Sequence, residues 1–370
     1  MTAIPKIGDL MTRQGTGIEW THRPGTKGET WNPIVGCSLA SPGCTNCYAM
    51  DTAGRRLNRP GGPAQYQGTT KEVNGSHVWN GVVRFAEHKI IEPLKWTKPR
   101  TVFVNSMGDL FHENVPDAWI DRVFAIMALC PHHTFIVLTK RAAGMQVYCA
   151  NPRTPVRIAR VILDMAAAGT VKGSDALRPL RDRLLESDPE AVFWPLTNVW
   201  KGVSCEDQRR ADERISDLLA TPAAVRFVSA EPLLGPIEFD CPWPPGWQRP
   251  IDDVSDGVDA LRYAGEQGRP LDWVIVGGES GTAARPMHPD WVRSIRDQCA
   301  GAGVPFFFKQ WGAFVPIASV GAGGVAVAAA TPDHHVWADT TVSRRTDKKA
   351  AGRLLDGREH TEWPKGFADA

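Results

Sequence analysis

The sequence predicts an α/β protein, a partial (β/α)6-7 parallel barrel with insertions. Three observations predict it. Near-continuous apolar runs of strand length recur along the chain, amphipathic helical stretches lie between several of them, and each run closes on polar residues. Runs without polar alternation are strands buried on both faces, as a parallel sheet requires.

In chain order, a first strand falls near residues 31–35, then come runs at 101–105, 134–139, 199–204, 225–229, 272–277 and 304–309. A helix is expected over 116–129, with Ala118, Ile120, Val123, Phe124 and Met127 on one face and Asp117 and Asp121 in its early turns. A second spans 207–219 on Ala211, Ile215, Leu218 and Leu219. A third, at 289–302, carries Trp291, Val292, Ile295 and Cys299 and runs out into Gly301 and Gly303. Three stretches break this rhythm and read as insertions on one domain of residues 1–370. They are about 142–198, with helix-like sequence at 156–168 and 175–186; about 240–271, which opens as a Pro- and Trp-rich loop; and about 315–345. In the last, Gly321 to Ala326 loosely matches a dinucleotide fingerprint, but no helix pattern follows and a hairpin turn is expected.

Composition narrows the function classes. Apolar residues make up 42% of the chain, enough for a real core without a staple. A net charge of +1, from 42 basic and 41 acidic side chains, argues against a strongly electrostatic grip on nucleic acid but leaves room for a local basic patch. No charged-then-apolar leader and no apolar run of about 18 residues occurs, so a cytoplasmic protein without membrane contact is expected. Eight cysteines in a reducing compartment are not a disulfide framework. Cys130, Cys149, Cys205, Cys241 and Cys299 are scattered among apolar neighbours and read as small buried hydrophobes.

The polar strand ends are in register. Asn105 and Asp109 follow one run; Thr139, Lys140 and Arg141 the next; then Ser204 and Glu206, Ser229 and Glu231, Glu279 and Ser280, and Lys309 and Gln310. In a parallel barrel all these ends meet on one face, where ligands bind. Within the set, the Gly277–Gly278 pair lets backbone approach a ligand and Glu279 can accept from an amine or a ribose. A tight strand-to-helix turn with a solvated glutamate accounts for the same residues. No catalytic residue is singled out.

Cys37, Cys44 and Cys47 stand together in a loop rich in Gly, Pro and Ser, spaced C-x6-C-x2-C. Thiolates so close repel and oxidise unless they share a metal. Zinc calls for a fourth protein ligand, and neither His22 nor His77 has zinc-finger spacing. Three thiolates without an evident fourth suit a [4Fe-4S] cluster with one iron open, zinc remaining the alternative.

On these residues the chain resembles a phage-associated family of uncharacterised radical-SAM-like proteins, distantly similar in style to spore photoproduct lyase. The likeness rests on Trp31-Asn-Pro33, on the Gly-Cys and Pro-Gly-Cys-x-x-Cys-Tyr blocks, and on Phe103 to His112 and Val137 to Arg141. It continues through Gly202 to Glu206, Ser229 to Pro236, Val276 to Gly281 and Phe307 to Gly312, with an echo at Gly352 to Arg358. Usual radical SAM spacing is C-x3-C-x2-C, so the first gap is displaced. The resemblance implies a radical-SAM-type, TIM-barrel-like fold and S-adenosyl-L-methionine at the open iron. It also implies reductive cleavage fed by an electron donor, with a nucleic acid or nucleotide as the substrate modified or repaired. Asn105, Lys140, Arg141, Ser204, Glu206, Glu231, Glu279 and Lys309 are then the expected cofactor-binding residues. Lys140 or Arg141 is expected near the carboxylate, and Glu206 or Glu231 near the ribose. Arg55, Arg56, Arg59 and some of the fourteen tryptophans offer charge and stacking to such a substrate, although Trp200, Trp273 and Trp291 sit in core-like runs. The competing function is a non-enzymatic iron-sulfur or zinc-binding protein that recognises nucleic acid or a protein partner.

Overall fold

Seven strands pair side by side in chain order, all parallel. They are β1 (Lys27–Trp31), β2 (Arg100–Val104), β3 (Thr134–Thr139), β4 (Val199–Ser204), β5 (Val225–Ala230), β6 (Trp273–Gly277) and β7 (Phe306–Gln310). The computed structural model describes residues 15–169, 194–244, 257–262, 269–317 and 333–364.

Side-chain alternation divides the core into two layers. Val102, Val104, Phe135, Val137, Val228, Val274, Val276 and Phe308 point to the helix side and join the larger cluster. Phe103, Ile136, Trp200, Phe227, Trp273, Ile275 and Phe307 point to the other face and pack around Trp20. The sheet curls around this second layer into a half-barrel, so that the ends of β2 through β7 border one cavity. β1 and β7 stay unpaired with each other, and Glu19–Thr21 and Trp363 cover the inner layer. Trp200 and Trp273 are fully buried, as their runs suggested.

Helices form the outer wall: α1 (Asp117–Ala128), α2 (Ala142–Ala150), α3 (Arg153–Ala167), α4 (Gln208–Leu219) and α5 (Pro289–Ala302). Local chemistry fixes their ends. The Asp207 carboxylate accepts from Arg210 N at 3.0 Å to start α4. His288 caps α5 ahead of Pro289, and α5 stops where Gly303 turns left-handed at φ 70°. The stretch after residue 142 supplies the crossover from β3 to β4 as α2 and α3. The expected helix at 175–186 and the turn at 321–326 lie outside the described residues. The other breaks hold a short hairpin, Asp240–Pro242 with Gly257–Asp259, and a three-stranded antiparallel sheet of Phe314–Ile317, Val342–Arg345 and His334–Val336. Among the described residues no helix is long and apolar enough to cross a membrane.

One unit was not anticipated. Ile34–Val35 pairs antiparallel with Arg84–Phe85, and the chain between them folds as a cap. Its helix Tyr48–Thr52 runs into a π-helical turn, Ala53–Leu57, and its hairpin joins Thr70–Val73 to Ser76–Trp79. Val35, Ala49, Met50, Ala53, Tyr66, Trp79 and Met107 give the cap a small core, against which Cys37 and Cys47 pack.

Candidate functional site

A cavity of about 350 Å³ opens at the carboxyl ends of the strands, with Cys37, Cys44 and Cys47 all on its wall. Of the eight residues expected to bind a cofactor, Asn105, Lys140, Arg141, Ser204, Glu231, Glu279 and Lys309 line it. Glu206 does not; it lies behind the cysteine loop.

The strand ends divide into two groups by what they touch. Three of them hold the loop. At the end of β3, Arg141 donates through Nη2 to Ser38 Oγ at 2.6 Å and through Nη1 to Cys37 Sγ at 3.6 Å, and its Nε pairs with Glu113 at 2.7 Å. Beyond β4, Glu206 Oε1 accepts from Gly43 N at 3.1 Å while Oε2 pairs with Arg214 at 3.1 Å. Burial opposes ionisation of this carboxyl, but Lys140, Ser41, Arg214 and the Gly43 amide overcome it and hold it down at about 2. After β6, Glu279 accepts from Asn46 Nδ2 at 3.0 Å and from Arg285 Nη2 at 2.5 Å. Arg285 Nη2 also reaches Pro42 O at 3.0 Å. Arg141, Glu206 and Glu279 therefore spend their hydrogen bonds on the protein.

The cysteines differ in surroundings. Cys37 follows Gly36, whose φ of 91° and contact with Val82 O, 2.1 Å from where a Cβ would sit, require glycine. Burial and the nearby Asp109 push the Cys37 thiol up to about 12, against the pull of Arg141. Burial also raises Cys47, opposed by the Met50 and Ala49 amides at the start of its helix and by Trp79. Among the described residues the three sulfurs are not all within 4.8 Å of one another; the only such His, Cys, Asp or Glu group there is His288, Asp290 and Asp339. The remaining five cysteines are buried.

The second group faces the cavity with less to hold. Lys309 Nζ pairs with Glu231 Oε1 at 2.5 Å, from β7 to the end of β5. The pair passes over β6 because residue 277 is glycine: a Cβ there would lie 3.2 Å from Glu231 Cδ. Burial opposes the charge on Lys309, and Glu231 and Glu19 restore it and raise its pKa. Asn105 sits at φ 57° and accepts from Ile34 N at 3.2 Å, but its Nδ2 has no hydrogen-bond partner. Lys140 Nζ and Gln310 Oε1 are likewise buried without one, the lysine standing 3.6 Å from Glu206.

Sequence reasoning missed Ser38, Asn46 and Arg285, which carry the loop's attachment, and Tyr48, whose hydroxyl donates to Ser106 O at 3.0 Å on the cavity wall. Of these only Tyr48, directly after the third cysteine, gave a signal. Arg55, Arg56 and Arg59 do not line the cavity, and Arg55 pairs with Asp51.

A family model described as Protein of unknown function (DUF5131) matches residues 15–364. Neither the curated proteins nor the solved structures yield a match.

Proposed function

The chain belongs to the DUF5131 family, whose description assigns no chemistry, and from its site we propose an iron-sulfur enzyme of radical-SAM type that modifies or repairs a nucleic acid or nucleotide. One observation carries the reading: three cysteines and the polar ends of six parallel strands share a single cavity. The donor set fits a cluster better than one ion. A structural zinc site would take a fourth protein ligand, usually another cysteine or a histidine. Three thiolates from one loop on a shared cavity wall suit a cluster whose irons each take one sulfur. Among the described residues, the lining has no histidine and no fourth cysteine, which leaves one iron open.

When bound, the cluster would supply the electron that cleaves S-adenosylmethionine to methionine and a 5′-deoxyadenosyl radical. The chain's own residues prepare for the ligand. Asn105 Nδ2 and Lys140 Nζ are the unsatisfied donors beside the cysteine wall and suit an anionic group such as a carboxylate. The Glu231–Lys309 pair offers an acceptor and a cation on the wall formed by β5 and β7. Trp20, Phe103 and Leu138 give part of the cavity wall an apolar surface.

Anaerobic reconstitution tests this. Iron and sulfide uptake, a broad absorbance in the visible blue, and a paramagnetic signal that changes on adding S-adenosylmethionine are expected. Dithionite reduction should then yield 5′-deoxyadenosine by chromatography, with DNA, RNA or nucleotides present and with Cys47→Ala as control. A fully loaded, reducible cluster that yields none under any of these conditions overturns the enzyme reading.

A further inference from the structure

We infer that Arg141 sets the electron affinity of the centre held by Cys37, acting through the Cys37 sulfur, and is not a ligand for substrate or cofactor. The inference rests on the cluster reading above and goes beyond it.

The guanidinium has no face left for a ligand. Nη2 donates to Ser38 Oγ at 2.6 Å and Ser38 O at 3.4 Å. Nε pairs with Glu113 at 2.7 Å, and Nη1 donates to Asp109 Oδ2 at 3.1 Å. Nη1 also points at Cys37 Sγ, 3.6 Å away. Its side chain is 13% exposed, so this charge acts on the sulfur with little water between. Two acidic groups hold the fork in place, which a lysine's single ammonium cannot reproduce. Hydrogen bonds and charges at cluster sulfurs are the protein's main levers on reduction potential. Adding an electron makes the thiolate side more negative, so a cation beside Cys37 favours the reduced state. Asp109 and Glu113 act in the opposite direction, Asp109 from a buried position against the same Nη1 and Glu113 more weakly because its side chain is 62% exposed, so the arginine offsets a negative charge already beside the sulfur.

The test is redox titration of reconstituted full-length protein, followed by paramagnetic resonance at equal iron content. Arg141→Met should lower the reduced-to-oxidised ratio at fixed ambient potential by about tenfold, which is about 59 mV for one electron. Arg141→Lys should fall between it and wild type. Arg141→Gln, which keeps a neutral hydrogen-bond donor at this position, should shift the potential the same way as Arg141→Met and decides the matter alone if the Met variant fails to load iron. Variants that load iron and titrate with wild type overturn the inference and leave the cluster reading standing. Wild-type protein that takes up no iron overturns the cluster reading, and this inference with it.

Discussion

Glu206 Oε1 accepts the backbone N–H of Gly43 at 3.1 Å, across 163 residues of chain. A Cβ on residue 43 would lie 3.0 Å from that carboxylate's carbon, so the loop sits as close to the end of β4 as a glycine permits. Arg214, 5% exposed, holds the same carboxylate from α4.

Glu206→Gln is therefore expected to be among the costly substitutions at this site. It leaves Arg214 buried without its counter-charge, a loss of about 3–5 kcal/mol. Thermal unfolding should show a large fall in midpoint; a change worth less than about 1 kcal/mol contradicts the assignment.

Gly277→Ala places a methyl group 3.2 Å from Glu231 Cδ, so the glutamate must shift by a few tenths of an ångström while paired with Lys309. Overpacking of this kind costs about 1–3 kcal/mol. Denaturant titration should show it, and Gly277→Ala combined with Glu231→Ala should recover part of the loss. Additive losses would mean that the two residues do not meet.

Iron content should separate the cysteines. Cys37→Ala, Cys44→Ala and Cys47→Ala should each lose iron on reconstitution. Cys205→Ala and Cys299→Ala should keep it, because both thiols are buried in the core between sheet and helices. Equal loss in Cys205→Ala would place a ligand on the wrong side of the sheet.

Acid should loosen the loop. The Glu206 carboxyl is held at about 2 in the folded protein, below its ordinary value of 4.5. Its stabilisation is thus complete above about pH 4.5 and is lost as pH falls toward about 2. Between those values wild type should lose on the order of 3 kcal/mol through this group, and the acid limb of Glu206→Gln should be shallower. Parallel acid limbs in the two proteins would show that Glu206 does not carry this pH dependence.

The strands were legible because a sheet covered on both faces leaves no alternation to misread, as in Trp-Val-Ile-Val-Gly at β6. The convergence of their polar ends was legible for the same reason. Which ends face a ligand was not. Arg141, Glu206 and Glu279 look no different in sequence from Lys140 and Glu231, and only the folded chain shows that a distant loop has claimed them. The cap was missed although one of its signals was present. Asn74-Gly75 joins two short runs, and both residues take positive φ, 50° and 73°, as a type I′ hairpin turn demands.

The loop's attachments have a consequence for the order of assembly. Ser38 meets Arg141 across 103 residues, Gly43 meets Glu206 across 163, and Asn46 and Pro42 meet Glu279 and Arg285 across 233 and 243. Each of these contacts closes a long loop, an entropic cost more easily met once the strand end it joins is already part of the sheet. The expected order is therefore strands first and cysteine loop last, although the cysteines lie near the start of the chain. A ligand of the loop would then be captured on a formed scaffold. Scarcity of that ligand should then lower occupancy without lowering the amount of folded chain, the reverse of a zinc finger, whose metal is part of its folding energy.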